Sequence, residues 1–349
     1  MTALPAWSQT RGGNFLNRVQ GDVVVGRFLI TPDQATEGML LSTSHQIRVG
    51  TNSQATLNCR NGGIHTFDRA DTYNVGDYCS AGNDVRAESR RGPSRGTFNA
   101  SLPYVLTPRN TALIPTDSLV LQWHPVEEAT SYEITLSGSG VNWTTQVSEA
   151  QVSYPDIAAL RPDYRYTIVI TSDNGLSSAS VQSIGFAVLS PSEDDRVNTR
   201  VEEIEARQLG PDVEAIALAL EYINFQHSDP DRQSYALNQA ALDVLEERID
   251  AGTNNSLIYL LQAETYFTVG LPLMAQERYE QALIFAQEAE QRELQAESYL
   301  GLATVADGQT EYRDAIAHLQ SAQQLYEELG DYEQAEALQV RINLVEEIL

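Results

Sequence analysis

The sequence contains no lysine, because all 22 of its basic residues are arginines. This absence excludes reactions that pass through a lysine Schiff base and nucleotide sites that rely on a phosphate-binding lysine. Also missing is any run of about 18 apolar residues, the length that a membrane-spanning helix needs. The 48 carboxylates outnumber the arginines, so the net charge is −26. A surface this acidic repels nucleic acid and anionic membranes, and neither is expected as a partner.

Cysteine is scarce as well, since the chain has only Cys59 and Cys79. Their spacing within one β-rich segment predicts a disulfide, which is typical of oxidising compartments, and two separate buried thiols are the alternative. The cysteines and the five histidines lack metal-site spacing, so we predict neither a metal nor another cofactor. The first residues carry no charged-then-apolar secretion signal, which leaves a cytosolic protein or one whose signal was removed.

Sequence motifs for catalysis are also lacking. The spacing Gly-x-Ser-x-Gly occurs once, at Gly92-Pro-Ser-Arg-Gly96, but it follows no strand pattern as a nucleophile elbow does. There is no Gly-x-Gly-x-x-Gly after a strand and no His-Glu-x-x-His. We therefore predict no catalytic residue and expect that the protein is not an enzyme. A carboxylate pair for glycoside hydrolysis needs only a suitable separation, so the sequence leaves that one chemistry open.

Charge and composition divide the chain near residue 190. From Glu193 to Leu349 there are 32 acids and 9 arginines, a net charge of −23, whereas residues 1–107 carry 8 acids and 10 arginines, a net charge of +2. Before the boundary Val, Thr, Ser and Gly dominate, and after it Ala, Leu, Glu and Gln do. We predict a β-then-α multidomain protein, with domains at 1–107, 108–190 and 199–349 and a linker at 191–198.

Short alternating runs between Asp22 and Phe67 predict a small antiparallel β domain in residues 1–107. The order Gly38-x-Leu-Leu, Ile47-Arg-x-Gly and Ser53-x-Ala-x-Leu-x-Cys resembles the FecR-type domain of bacterial envelope proteins. The resemblance implies an extracytoplasmic structural or regulatory module without a catalytic residue. An arginine group follows it, and we interpret this group as a basic patch for an acidic partner or as a solvated loop. Its members are Arg86, Arg90, Arg91 and Arg95.

The segment 108–190 has the clearest strand pattern. The patterns Leu121-x-Trp123-x-Pro-Val, Ala129-x-x-Tyr-x-Ile and Leu160-x-Pro-x-x-x-Tyr166-x-Ile-x-Ile resemble a fibronectin type III domain. This resemblance implies an immunoglobulin-like β-sandwich with Trp123 in the core and a corner hydrogen bond from Tyr166 to the chain. Two further aromatics, Trp143 and Tyr154, are interpreted as sheet packing, with sugar stacking as the alternative.

Beyond residue 198 the apolar period becomes 3.6, which predicts helices. A pattern of small and aromatic residues that begins at Tyr259 recurs at Tyr299, an offset of 40 residues. This repeat resembles the longer-linker variety of the tetratricopeptide repeat and implies a helical solenoid. The final segment, 332–349, is predicted to close the open end of the stack.

In tetratricopeptide proteins the first helix of each pair lines a concave groove that binds a peptide segment. Carried over to this chain, the groove would consist of Leu260, Glu264, Phe267, Glu297, Leu300, Thr304 and Asp307. Acid-rich walls favour a basic ligand, and the alternative is that the acids form a solvated face.

Together these features predict a non-enzymatic adaptor or scaffold that binds another protein or a peptide segment through the helical groove. The charge of the groove predicts that this ligand is basic. The domain combination resembles envelope proteins of bacteria, especially cyanobacteria, so a periplasmic or cell-surface location is expected. The alternatives are carbohydrate or peptidoglycan binding by the β domains and a subunit buried in a larger assembly.

Overall fold

The structure, a computed structural model, describes residues 14–27, 33–35, 39–41, 45–59, 64–79, 101–115, 118–157, 160–180, 184–225 and 236–349. Within these residues a β-rich region precedes a run of helices, each packed against its neighbours along the chain. The predicted order, β first and α second, is therefore confirmed. In the described part of the chain, no helix is both long and apolar enough to cross a membrane.

The first β region, as far as it is described, consists of two antiparallel four-stranded sheets, ordered β4-β1-β6-β7 and β3-β2-β5-β8. The alternation of buried and exposed side chains along a strand explains how the two sheets pack. In β5, Ile47 and Val49 are buried while Arg48 is exposed. Residues from both sheets meet in one core. The elements are β1 (Asn14–Gln20), β2 (Val23–Arg27), β3 (Asp33–Gln34), β4 (Leu40–Leu41), β5 (His45–Val49), β6 (Gln54–Asn58), β7 (Ile64–Phe67), β8 (Asp71–Asn74) and the short helix α1 (Val75–Cys79).

The disulfide predicted from the sequence is confirmed. Cys59, just after β6, is bonded to Cys79 at the end of α1. Both cysteines lie in the core of the first β region and are almost completely buried. The bridge therefore ties the short helix to the sheet that contains β6.

The second β region also has two sheets, ordered β10-β16-β15-β12-β13 and β14-β11-β9. Its described strand pairs are antiparallel except β10 and β16, which run parallel. Trp123 from one sheet and Tyr166 and Phe186 from the other are fully buried in a shared core. The strands are β9 (Val105–Thr107), β10 (Thr111–Leu113), β11 (Leu119–Trp123), β12 (Tyr132–Gly138), β13 (Val141–Val147), β14 (Gln151–Tyr154), β15 (Arg165–Ser172) and β16 (Ile184–Val188).

Two details of this core match the sequence-based expectations. The Trp123 side chain fills the space between the sheets, as predicted. The Tyr166 hydroxyl accepts a hydrogen bond from the backbone N–H of Arg161 at 2.5 Å. The expected bond from this tyrosine back to the preceding chain is therefore present.

The helical region begins at Pro191, earlier than the predicted domain boundary at residue 199. Its described helices are α2 (Pro191–Glu205), α3 (Pro211–Ile223), α4 (Asn238–Asp250), α5 (Ser256–Val269), α6 (Pro272–Glu288), α7 (Arg292–Gly308), α8 (Tyr312–Glu328) and α9 (Tyr332–Glu346). Successive helices from α3 onward pack in pairs, and α3, α5 and α7 also contact one another in that order. We call these three the inner helices.

The segment 191–198, which we predicted to be a linker, instead forms the first turns of α2. Ser190 is the N-cap with extended backbone, Pro191 occupies the first turn, and two acids follow in that turn. Proline and acids at these positions are favoured by the free N–H groups and the dipole at a helix start. Glu193 is buried there and accepts a hydrogen bond from Arg196 Nε at 2.9 Å. The polar run therefore marks a helix start.

Small residues let the repeated helices approach closely. Six alanines of the 40-residue pattern are completely buried: Ala263, Ala275, Ala282, Ala303, Ala315 and Ala322. One close approach occurs where Gly301 of α7 faces the ring of Tyr279 on α6. A Cβ atom placed at Gly301 would lie 2.2 Å from Tyr279 Cε1, well inside van der Waals contact. The ring is buried in turn, so it has little room to move away.

Replacing Gly301 with alanine is expected to destabilise the helical region by about 2 kcal/mol, because overpacking exceeds the gain in helix propensity. Chemical denaturation followed by far-UV circular dichroism measures this loss. Gly308→Ala is the matched control, since a Cβ at Gly308 in the same helix meets nothing within 4 Å. Equal stability of the Gly301 and Gly308 variants would show that the Tyr279 ring moves aside without lowering the free energy of unfolding.

The β and helical regions are packed against each other. Ala112 of β10 donates a backbone hydrogen bond to the carbonyl of Ala236 at 2.9 Å, and Asn238 Nδ2 donates to the carbonyl of Asn110 at 2.9 Å. An apolar cluster joins β10 and β16 to the helices and contains Ala112, Leu189, Val197, Phe225 and Leu237. The second β region thus shares a core with α2, α3 and α4.

Candidate functional site

The seven residues predicted to line a groove all lie on α5 and α7, two of the inner helices. Four of them are buried: Leu260, Phe267, Glu297 and Leu300. Leu260 and Phe267 belong to the core between α5, α6 and α7, while Leu300 belongs to the core around α8 and α9. These three apolar side chains hold the helices together, so in this conformation they are not available to a partner.

Glu297 is buried through a specific contact, because its carboxylate accepts a hydrogen bond from the hydroxyl of Tyr326 on α8 at 2.5 Å. A buried carboxylate needs such a partner to offset its desolvation. The residue therefore links α7 to α8 rather than presenting a charge to solvent.

The other three predicted residues are partly exposed: Glu264 on α5, and Thr304 and Asp307 on α7. The Thr304 hydroxyl donates to the Leu300 carbonyl at 2.8 Å and accepts from Arg341 Nη2 of α9 at 3.2 Å. Within the described chain, Glu264, Thr304 and Asp307 are the part of the predicted groove that a ligand can reach.

The first β region contacts the same inner helices. Strand β1 packs near α3 and strand β4 near α7. An ion pair joins the region to the helices, because Arg18 Nη2 lies 3.6 Å from Glu203 Oε2 of α2. Part of the inner helical surface is therefore covered by the chain's own N-terminal sheets, an arrangement that the sequence did not indicate.

Arg109 is the polar residue on which the docking of β strands and helices centres. It lies between β9 and β10 and is 9% exposed. Its Nε donates to the Val269 carbonyl at 2.7 Å, its Nη2 to the Gly270 carbonyl at 3.1 Å and its Nη1 to the Val105 carbonyl at 3.0 Å. One guanidinium thus joins the end of α5 to strand β9.

Arg109 acts as a C-cap of α5, although it belongs to the second β region. The last carbonyls of a helix lack partners inside it and carry partial negative charge, which favours a cation. Gly270 ends α5 in the left-handed conformation, at φ 86°. Burial lowers the pKa of Arg109 to about 10, so the guanidinium stays positively charged at neutral pH. Burial also raises the pKa of the neighbouring Tyr104 to about 12, and the Arg109 charge opposes that rise.

Sequence reasoning missed Arg109 because a lone arginine after a proline resembles many surface arginines. The available signal was its place in the charge distribution, since the segment 108–190 has only three arginines, at 109, 161 and 165.

The predicted basic patch, Arg86, Arg90, Arg91 and Arg95, lies outside the described residues. Among the predicted residues that the structure describes, Cys59 and Cys79 are joined by a covalent bond.

The aromatic pair considered for sugar stacking is used in packing. Trp143 and Tyr154 meet edge to face, with ring centroids 5.2 Å apart. Tyr154 is 5% exposed in the core of the second β region, and Trp143 packs against that core. Burial also raises the pKa of the Tyr154 hydroxyl. The two rings do not form an open platform together, and sugar binding by the β regions stays a prediction.

No group of three histidine, cysteine or carboxylate side chains in the described ranges is arranged to hold a metal ion. Neither a scan against protein-family models nor a search of the curated proteins found a match to this chain.

Proposed function

We propose that the protein is a non-enzymatic interaction scaffold whose acidic helical region holds a basic segment of a partner protein. The observation that carries the proposal is the stack of inner helices α3, α5 and α7 in a region whose net charge is −23. A helical surface with an excess of one charge attracts an oppositely charged segment and raises its association rate.

The proposal includes the family resemblances of the three regions. Buried alanines at the 40-residue offset support a tetratricopeptide-type solenoid, since small residues at those positions permit close helix pairing. The buried Trp123 and the Tyr166 hydrogen bond support a fibronectin type III-like sandwich. For the first region we propose a FecR-type module.

We also propose a periplasmic or cell-surface location. The support is the Cys59–Cys79 disulfide, since such bonds persist in oxidising compartments and are rare in the cytosol of mesophiles. An envelope scaffold of this design would use the β regions to fix the orientation of the helical surface.

The reachable acids of the groove give the test. An arginine-rich synthetic peptide, fluorescently labelled, is titrated against the full chain at low and at physiological salt. Replacing Glu264 with glutamine and Asp307 with asparagine together is expected to weaken binding roughly fivefold at low salt, because two attractive charges are removed. The difference should shrink at high salt, since screening weakens exposed charge pairs.

The matched control is the double variant Glu277→Gln and Glu280→Gln, which removes the same charge from exposed positions of α6. If the control variant lowers the affinity for the peptide as much as the groove variant does, peptide binding depends on net charge alone and the groove assignment is wrong. The same follows if neither variant changes the affinity.

A further inference from the structure

Strand β13 lies at one edge of the five-stranded sheet in the second β region. In the described part of the chain, β12 is the only strand that pairs with it. Strand β13 has 7 residues, whereas the other edge strands of the described sheets have 2 to 4. At the opposite edge of the same sheet, β10 is covered by the helical region through the bond from Ala112 to Ala236. Among the described sheets, β13 is therefore the longest edge.

The hairpin turn between β12 and β13 determines which backbone groups of β13 are free. Two residues with positive φ form the turn, and the residues on either side of it, Gly138 and Val141, are directly paired. A pair that closes such a turn exchanges both of its N–H···O bonds, and bonded and non-bonded pairs then alternate along an antiparallel ladder. The odd-numbered residues of β13 therefore bond to β12. Three residues turn their backbone N–H and C=O groups toward the open edge: Asn142, Thr144 and Gln146.

Strand β13 lacks the features that protect an exposed edge. Edge strands are commonly blocked by lysine or another charge, by proline, by a bulge or by a short length. The sequence of β13 is Val-Asn-Trp-Thr-Thr-Gln-Val, without a charge or a proline, and its pairing with β12 has no register shift. On its inner face Val141, Trp143 and Val147 pack against the core but are only partly buried. A further strand at this edge would cover them.

The sequence of β13 is complementary to itself in the antiparallel direction. When two β13 strands pair about Thr144, the outward backbone groups of each strand meet the outward backbone groups of the other. The side chains match as well, because Val141 lies opposite Val147, Asn142 opposite Gln146, Trp143 opposite Thr145, and Thr144 opposite Thr144 of the second copy. Aromatic–β-branched pairs and Thr–Thr pairs of this kind stabilise neighbouring strands.

The charges around β13 also permit a second copy at this edge. The strand itself carries no charge, so no like charges meet within the pair. The acid that follows it, Glu149, would lie opposite Ser139 in the hairpin turn of the second copy. Glu133 of β12 is separated from its counterpart by both β13 strands. Local repulsion is therefore avoided, and it is the net charge of the two chains that opposes association.

We propose that two copies of this chain pair antiparallel through β13, with a two-fold axis at Thr144, so that their five-stranded sheets join into one continuous sheet. A two-fold axis brings the same patch of both copies together, which this self-complementary strand satisfies. The contact consists mainly of one strand pair, so the interface is small and the dimer is reversible. This proposal does not depend on the acidic groove of α5 and α7.

Sedimentation velocity of the full chain over a series of concentrations tests the proposal. We expect a reversible equilibrium between monomer and dimer. Raising the salt concentration should strengthen the dimer, since screening weakens the repulsion between two chains of net charge −26. Binding of a basic peptide to the groove has the opposite salt dependence, so failure of one proposal is distinguishable from failure of the other.

A charge at the two-fold axis should separate the copies. Thr144→Lys is expected to weaken the dimer about tenfold or more, because it places two like charges directly opposite each other. Val120→Lys is the matched control, since Val120 is 39% exposed on β11, whose two edges are occupied by β14 and β9. Both positions are exposed, so far-UV circular dichroism should match that of the parent protein.

Cysteine variants locate the axis independently of stability. The two native cysteines are bonded to each other, so Thr144→Cys supplies the only free thiol. Residues opposite each other in a hydrogen-bonded pair have Cα atoms about 5.5 Å apart, within the range of a disulfide. Oxidised glutathione should therefore join two Thr144→Cys chains, and electrophoresis without reductant measures the product. Asn142→Cys is the control and should form much less of it, because each Asn142 lies opposite Gln146 of the second copy.

Three results would overturn the proposal. The first is a parent protein that stays monomeric at every concentration and salt level, since this would assign the edge to a segment of another protein. The second is a dimer that Thr144→Lys leaves intact or that Val120→Lys weakens to the same extent. The third is equal cross-linking of the Thr144→Cys and Asn142→Cys variants, which would exclude an axis at Thr144.

Discussion

Replacing Arg109 with methionine is expected to lower the free energy of unfolding by about 3 kcal/mol, the largest loss that we predict for a single polar residue. The substitution keeps an unbranched side chain but removes every donor. The carbonyls of Val269 and Gly270 then lose their charged partner at the end of α5, and the Val105 carbonyl loses its bond as well. Because the guanidinium joins strand β9 to α5, its loss should weaken the contact between the β and helical regions.

Hydrogen exchange measured by mass spectrometry checks this prediction together with the thermal midpoint. Faster exchange is expected in β9, in β10 and in the last turn of α5, with little change in α8. Arg161→Met is the matched control, since Arg161 is exposed in the same β region. Arg109→Lys should fall between the two, because an ammonium keeps the charge but cannot reach three carbonyls in fixed directions. Unchanged exchange at α5 in Arg109→Met would contradict the role assigned to this contact.

Replacing Cys59 and Cys79 together with serine is expected to destabilise the first β region by about 3 kcal/mol. The bond closes a loop with a sequence separation of 20 residues, and opening it gives the unfolded chain more conformations. The two sheets of this region are built from short strands, so the free energy of unfolding that the rest of the region provides is small. Faster hydrogen exchange in β5 and β6 is the expected signature, and exchange in α5–α8 should stay near the parent rate.

Reduction of the parent protein should reproduce the effect of the serine variant. Adding the same reductant to the variant is the control and should change nothing further. If β6 keeps its protection in the variant, the hydrophobic core alone holds the region and the bond is dispensable for its stability.

Much of the local architecture could be predicted from the sequence. Alternation in β5 and β11 fixed which side chains face the cores, because a strand places successive residues on opposite sides. The alanines of the repeat indicated close helix pairing, and they are fully buried. The start of α2 was missed because Ser, Pro, Glu and Asp are common both in linkers and at helix N-termini. Composition alone does not separate the two, whereas the order N-cap, proline, acid does.

The groove residues were predicted less well, for a physical reason. On an inner helix, the side that faces a ligand and the side that packs on the next helix pair are close together, and both carry aliphatic residues. A family pattern assigned Leu260, Phe267 and Leu300 to the ligand side, whereas they lie in the cores between helices. Glu297 was also assigned to the ligand side, whereas it is buried between helices. Tyr326, 29 residues further along the chain, donates a hydrogen bond to it, and no local sequence pattern predicts this contact.

By itself the sequence indicated the order of β and α regions, the acidic character of the helical part and a bond between its two cysteines. These depend on local periodicity, on charge counts and on residue types that have few alternatives. The core position of Trp123 and the corner hydrogen bond of Tyr166 were implied by a family resemblance. Only the tertiary structure decided that Arg109 caps α5 and that β1 and β4 lie near the inner helices. Each of these depends on which surfaces meet, and contacts between residues as far apart as Arg109 and Val269 are set by the packing of whole regions.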